Sequence, residues 1–168
     1  MLDKGANPNL TPSGKDSPLL LAIQNRLDSV LEVLLQNGAD ICHIGENEST
    51  SFEYCLDIGL NNYMRVLIKN GLPLNKPSSS GQYPLELLID RCPDRSLILL
   101  MLSNGANPNI VTVGESILTA TVELKLYDTC IALIDAGADI NQKDKGGFTA
   151  FDVFTSQLEE KFQRLHIQ

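Results

Sequence analysis

The feature that most constrains this chain is that its sequence repeats. Gly5, Gly38, Gly71, Gly105 and Gly137 open a recurring Gly-Ala-Asp/Asn mark, with Gly71-Leu72-Pro73 as its loosest copy, and are spaced 33, 33, 34 and 32 residues apart. A second mark runs in phase with the first. It reads Ser17-Pro18-Leu19-Leu20, Ser51-Phe52-Glu53, Tyr83-Pro84-Leu85-Glu86, Ser116-Ile117-Leu118-Thr119 and Thr149-Ala150-Phe151-Asp152, and Leu19, Phe52, Leu85, Leu118 and Phe151 are each 33 apart. Two independent marks with one period define an array of supersecondary units. One such unit cannot bury its apolar face alone, but stacked neighbours can.

Each mark has a local physical role. The glycines follow the apolar pairs Leu34-Leu35, Leu67-Ile68, Met101-Leu102 and Leu133-Ile134, where a residue able to take the left-handed conformation ends a helix. Ser or Thr before Pro or Ala suits a helix N-cap, and Pro18 and Pro84 suit the first helical position. Gly81, Gly114 and Gly146-Gly147 fall in the turns that link neighbouring units. A unit therefore reads as hairpin tip, short helix, tight turn, second helix. In the first complete unit the spacing predicts helices over 18–24 and 29–36, with Leu19, Ile23, Val30, Val33 and Leu34 as the inner stripe.

These marks resemble the ankyrin repeat, with its Thr-Pro-Leu-His opening and its Leu-Leu-x-x-Gly-Ala-Asp-x-Asn ending. The resemblance runs over essentially the whole chain and is best at Asp144-Lys145-Gly146-Gly147-Phe148-Thr149-Ala150. It implies an all-α solenoid of stacked helix-turn-helix units joined by short β-hairpin-like loops. The chain departs from the pattern in having no histidine after the second mark, and Lys15 and Glu48 stand where a hairpin glycine is usual. The register gives the tail of a preceding repeat at 1–11, repeats at 12–44, 45–77, 78–111 and 112–143, and a capping repeat at 144–168. An extra residue near Pro93 and a missing one in the fourth hairpin both fall in loops, where length changes are tolerated. Met1-Leu2 occupies the Leu-Leu position of a second helix, which reads as a piece of a longer array. At the other end, Glu159, Glu160, Lys161, Gln163 and Arg164 surround Phe162 and Leu165, a polar outer face over an apolar inner one. No Gly or Pro follows Ala150, which allows the last two helices to fuse.

Charge narrows the partner. The net charge of −8 repels nucleic acid and anionic lipid and favours a basic partner. No apolar run approaches the length needed to span a bilayer; the longest, 97–102, has six residues. Neither an apolar signal region nor a twin-Arg is present at the N-terminus. Cys42, Cys55, Cys92 and Cys130 are widely spaced without a C-x-x-C pair, which points to a reducing, intracellular and cytoplasmic setting. The resemblance also admits the nucleus, or the host cytosol for a bacterial effector.

The resemblance implies docking on the concave face made by hairpin tips and first helices. Directly after the second mark stand Leu20, Glu53, Glu86, Thr119 and Asp152, and four residues later Gln24, Asp57, Asp90, Glu123 and Ser156. Positions i and i+4 share a helix face, and stacking sets equivalent residues side by side. Glu53, Asp57, Glu86, Asp90, Glu123 and Asp152 thus form an acidic row, with Asp16, Glu46, Glu48 and Glu115 in nearby hairpins. The expected partner is a Lys/Arg-rich protein or peptide, with Ile58, Leu124 and Phe148 as apolar anchors. The competing reading is a solvated acidic surface that only keeps the chain soluble. With no tryptophan and 5% aromatic residues, a cage for methylated lysine is disfavoured. The alternative function is a structural segment of a longer protein, packing against its other domains through convex Leu99 and Ile131 while a further domain carries activity.

Catalytic chemistry finds no support in the sequence. His43 lies in a hairpin and His166 near a terminus, and neither has the orienting third group that a nucleophilic site needs. Adjacent Cys42 and His43 point to opposite sides of an extended segment, and no matching pair suggests a metal site. Cys55 and Cys130 read as small core hydrophobes and Cys92 as a loop residue. The pairs Glu53/Asp57 and Glu86/Asp90 could do acid/base work only if desolvated, which a shallow stacked face rarely does. The expectation is a binding module that is not an enzyme, with no metal and no cofactor.

Overall fold

Several helices begin where the sequence places a capping side chain, at Ser17, Thr50, Asp94 and Ser116. A computed structural model describes residues 6–12, 15–78, 80–112 and 114–166, with side chains at 112 and 162–166 excepted. The expectations at Met1-Leu2 and Gly5, and for the cap face at Phe162, Gln163, Arg164 and Leu165, lie outside what is described. The elements fall into two compact units, Met1–Pro73 and Leu74–Gln168.

The first unit holds α1 (Pro18–Gln24), α2 (Asp28–Gln36), α3 (Ser51–Asp57) and α4 (Asn61–Lys69). Helix α1 packs on α2, α3 on α4, and α1 on α3. Ser17 Oγ accepts from Leu20 N at 3.1 Å and caps α1, with Pro18 as the first helical residue. The α1 span is the one the sequence gives, and α2 begins one residue earlier.

The second unit holds α5 (Pro84–Arg91), α6 (Arg95–Ser103), β1 (Val111–Thr112), β2 (Glu115–Ser116), α7 (Ile117–Glu123), α8 (Tyr127–Asp135) and α9 (Ala150–His166). Helix α5 packs on α6, α6 on α8, and α7 on both α8 and α9. The two short strands pair antiparallel, Val111 opposite Ser116 and Thr112 opposite Glu115. Three other hairpin tips close on two backbone bonds each: Gly45 N to Ser49 O with Glu48 N to Gly45 O, Ser78 N to Gln82 O with Gly81 N to Ser78 O, and Asp144 N to Phe148 O with Gly147 N to Asp144 O. In the first of these Glu48 takes a φ of 58°, the left-handed conformation that Gly81 and Gly147 take in the others.

Second helices end alike. Gly38, Gly71, Gly105 and Gly137 all have positive φ, and the amides of Ala39, Leu72, Ala106 and Ala138 reach back to the carbonyls of Leu34, Leu67, Met101 and Leu133. This six-to-one closure satisfies carbonyls that a helix end leaves open. Asparagines then join neighbouring loops within each unit. Asn9 Nδ2 donates to Gly38 O at 3.0 Å while its Oδ1 accepts from Asp40 N at 2.7 Å. Asn75 bridges Gly105 O and Asn107 N in the same way, and Asn109 bridges Gly137 O and Asp139 N.

The core of each unit follows the second mark, with Leu19, Phe52, Leu85 and Leu118 all buried. One part of the expected stripe is corrected. Val30 and Val33 are exposed, and Leu31 joins Leu34 as the buried pair of α2. Tyr63, which matches Val30 in the repeat, is buried and its hydroxyl donates to Asp28 at the start of α2. That repeat position therefore faces the preceding second helix, and among the described residues no second helix precedes α2.

Among the described residues the last repeat contains one helix where earlier repeats have two. Between paired helices, Arg26, Gly59 and Lys125 take positive φ. The next place in the register is Leu158, a residue poorly suited to that conformation. The chain stays helical through it, and α9 runs for 17 residues.

Candidate functional site

Three acids of the expected row close helix caps. Glu53 Oε2 accepts from Thr50 N and from Thr50 Oγ1, each at 2.8 Å, and Thr50 Oγ1 accepts from Glu53 N at 3.2 Å. Asp152 and Thr149 repeat the arrangement at the start of α9. Glu86 Oε2 accepts from Tyr83 N at 3.1 Å, and its side chain is buried. The first two are reciprocal capping boxes, while at Tyr83, which makes no side-chain cap bond, the acid three residues on supplies its half alone. The bonds from Thr149 hold the Asp152 carboxyl below the ordinary carboxylate range.

Asp16 is spent in a similar way. Its carboxylate accepts from Gln24 Nε2 and from Glu46 N, both at 2.8 Å, and so ties α1 to the next hairpin. Gly45 makes room for it, since a Cβ there would stand 2.3 Å from Asp16 Oδ1. On the same tip Glu46 pairs with Lys15 at 2.8 Å, an exposed contact that stabilises little. Also in the first unit, Asp57 is exposed on the last turn of α3, and Ile58 is the half-exposed C-cap that follows it.

The remaining acids of the second unit converge. Glu86, Asp90 and Glu115 line a groove of 340 Å³ with Gln82, Ile89, Ile117 and Ala120. Burial raises the Glu115 carboxyl above its ordinary value, and the charges of Glu123, Asp144 and Asp90 add to the rise. Glu115 Oε1 is buried with no hydrogen-bond partner among the described residues. Burial raises Asp90 too, with Glu86 pushing the same way and Arg91 opposing. The groove is a notch with carboxylates on its walls and Ile89, Ile117 and Ala120 as its apolar lining. Leu124, the C-cap of α7, and Phe148, in the last hairpin, are both exposed.

Sequence reasoning missed Gln82, Ile89, Ile117, Ala120 and Asp144 here. Ile89 lies four residues after Leu85 on α5, and Ala120 three after Ile117 on α7, so helical spacing was the available signal.

Leu99 on α6 and Ile131 on α8, the pair read as an alternative contact, are both exposed. Ile131 lines a second groove, apolar and 500 Å³, between α8 and α9; Leu99 is not part of its lining. Cys55 is buried and its thiol is pushed up to about 12, so it is inert. His43 is held by its ring Nε2 against Lys15 O at 2.9 Å. Among the described residues no group of three or more His, Cys, Asp or Glu is placed to hold a metal ion, and no helix is long and apolar enough to cross a membrane.

Comparison with known proteins agrees with this architecture. Residues 15–46 match the ankyrin repeat family model. The chain is 30% identical over 86 residues to the human transient receptor potential cation channel subfamily A member 1, covering 51% of this chain and 8% of the channel. It is 32% identical over 80 residues to a fowlpox virus (strain NVSL) protein named for its ankyrin repeats, covering 47% of this chain and 12% of that protein. The chain thus spans about a tenth of each of these relatives. The crystal structure of the ankyrin repeat protein EF0377 superposes with a TM-score of 0.71 at 23% identity, covering 99% of this chain and 87% of that one. With the period, the caps and the helix pairs, these matches support reading the chain as an array of ankyrin repeats, a repeat that in general serves as a non-catalytic module of protein–protein interaction.

Proposed function

We propose that the chain binds a basic protein or peptide, and that the acidic groove of the second unit receives a Lys or Arg side chain of that partner. The observation that carries this reading is the crowding around Glu115. Burial and three neighbouring carboxylates raise its carboxyl, and a cation would relieve that repulsion. Glu86, already satisfied by the Tyr83 amide, shapes the wall. Asp90, Glu115 and Glu123 supply the charge, with Ile89 and Ile117 against the apolar stem. The exposed Leu124 and Phe148 are offered as anchors beside it. In the first unit, Asp57 and Ile58 form the corresponding part of their own repeat. The four cysteines are unbridged, in keeping with a reducing, intracellular compartment.

The test is a titration with an Arg/Lys-rich peptide at low and high salt. Each exposed ion pair contributes only ~0.2–1 kcal/mol, so binding should weaken steeply with salt and be lost in the double variant Asp90→Lys, Glu123→Lys. Both side chains are exposed, so that variant should keep its helical circular dichroism. Affinity that ignores salt, or that survives the double reversal, rejects the reading.

A further inference from the structure

The last repeat leaves bare apolar positions that earlier repeats bury or half-bury. Phe151 holds the repeat position of Leu85 and Leu118, yet it is 69% exposed where Leu118 is 3%. Ile140 holds the loop position of Ile41 and Leu74, both buried, and is 55% exposed. Ile134 holds the position of buried Ile68 and is 43% exposed. One cause accounts for all three: α9 runs straight through Leu158, so among the described residues no second helix turns back over the face of α8. The result is the 500 Å³ groove floored by Leu118 and Val122, with Tyr127 and Phe154 in edge-to-face contact at one end, 6.0 Å between centroids.

We propose that this groove docks an amphipathic helix of a partner protein in the place of the absent second helix. The fold defines its form. Each second helix in this chain has nine residues, and α4 and α6 bury Tyr63, Met64 and Leu67, and Leu97, Ile98 and Met101. The docked helix therefore presents apolar residues at i, i+1 and i+4 and lies parallel to α8. Charge gives the rest. Lys125 and Lys161, with Glu160 as the one acid among them, line the adjoining hollow beside Tyr127 and leave that end net positive, while exposed Asp135 and Asp139 stand next in sequence to Ile134 and Ile140. A helix in this direction complements them with acid in its first turn and base in its last, which is also the order its own dipole favours. A second copy of this chain fits less well. Its helix with bare valines, α2, has no base in its last turn, and two copies at net −8 repel.

The probe is a helix-stapled, fluorescently labelled peptide of residues 60–70 of this chain carrying Asn61→Glu, which holds the apolar triad, an acid in its first turn and Lys69 in its last. Anisotropy titration against the full chain should show saturable binding, weakened about tenfold or more by Ile134→Asp or Phe151→Asp in the protein and by Leu67→Asp in the peptide. The protein side chains replaced are exposed, so the variants keep the fold, as far-UV circular dichroism confirms. Three results overturn the proposal: no binding or binding indifferent to these changes; self-association of the chain in sedimentation velocity that Ile134→Asp abolishes, which makes a second copy the occupant; or slow exchange and buried shifts at Phe151 in the free chain, which mean the groove is already filled.

Discussion

The sharpest consequence of the repeat comparison is a pair of alanine substitutions at one repeat position. Leu118→Ala removes a side chain that is 3% exposed, and emptying such a site costs about 2–5 kcal/mol. Phe151→Ala, 33 residues on, removes a larger side chain that is 69% exposed. Full burial of a phenylalanine is worth roughly 1.5–3 kcal/mol, so less than a third of that burial leaves about 0.5–1 kcal/mol to lose. Alanine's better helix propensity at the start of α9 returns a few tenths, roughly, of that loss. The expected order is therefore a large cost at Leu118 and a change within about 0.7 kcal/mol of zero at Phe151. Urea titration followed by far-UV circular dichroism measures both, with equal slopes required for the comparison. If Phe151→Ala costs as much as Leu118→Ala, Phe151 is buried in solution. The straight α9 and the open groove beside α8 would then both be wrong.

Glu115 gives a pH-dependent expectation. Its folded carboxyl is raised, so its contribution to stability is fully present below the ordinary value of 4.5 and is lost as pH rises through the folded value. Glu115→Gln should therefore stabilise the chain at pH 7 by roughly 0.2–1 kcal/mol, the range of screened surface charges, and give no gain below pH 4.5. Denaturant titrations at the two pH values check this, and equal gains at both refute it. Asn109→Ala removes the bridge to Gly137 O and Asp139 N, two bonds of 3.2 and 2.7 Å. The expected cost is about 1–2 kcal/mol, read by denaturation, with faster amide exchange at Asp139. Unchanged exchange there would mean that the bridge does not form in solution.

Sequence alone carried the helices whose two ends are both signalled. The α1 span follows from Ser17-Pro18 at one end and from the fading of apolar spacing at the other. The start of α2 has no side-chain cap, since its N-cap residue is Leu27, and there the reading slipped by one residue. The outward turn of Val30 and Val33 was hidden for a different reason. A repeat position acquires its burial from the neighbouring unit, and periodicity within one helix says nothing about that neighbour. The fusion of α9 was half legible, because the absence of Gly and Pro permits it. The stronger signal was Leu158 at the register position of Arg26, Gly59 and Lys125, visible only once those three are known to take positive φ.

The acidic row shows where periodicity misleads. A repeat aligns every residue at a given position, whether that residue serves the fold or a partner, so alignment cannot tell the two apart. What separates them is whether local hydrogen bonds already satisfy the group. Glu53, Glu86 and Asp152 stand three residues after their caps and accept bonds from those caps, and Thr50-x-x-Glu53 and Thr149-x-x-Asp152 were readable as that pattern. Asp90 and Glu115 are raised by burial and by their neighbours, so their charged forms are under-stabilised by the protein itself. A cation brought by a partner lowers the free energy of the second set and has less to offer the first. Reversing Asp90 with Glu123 should thus act on binding, whereas removing the carboxylate of Glu53 or Glu86 should act first on the stability of α3 or α5.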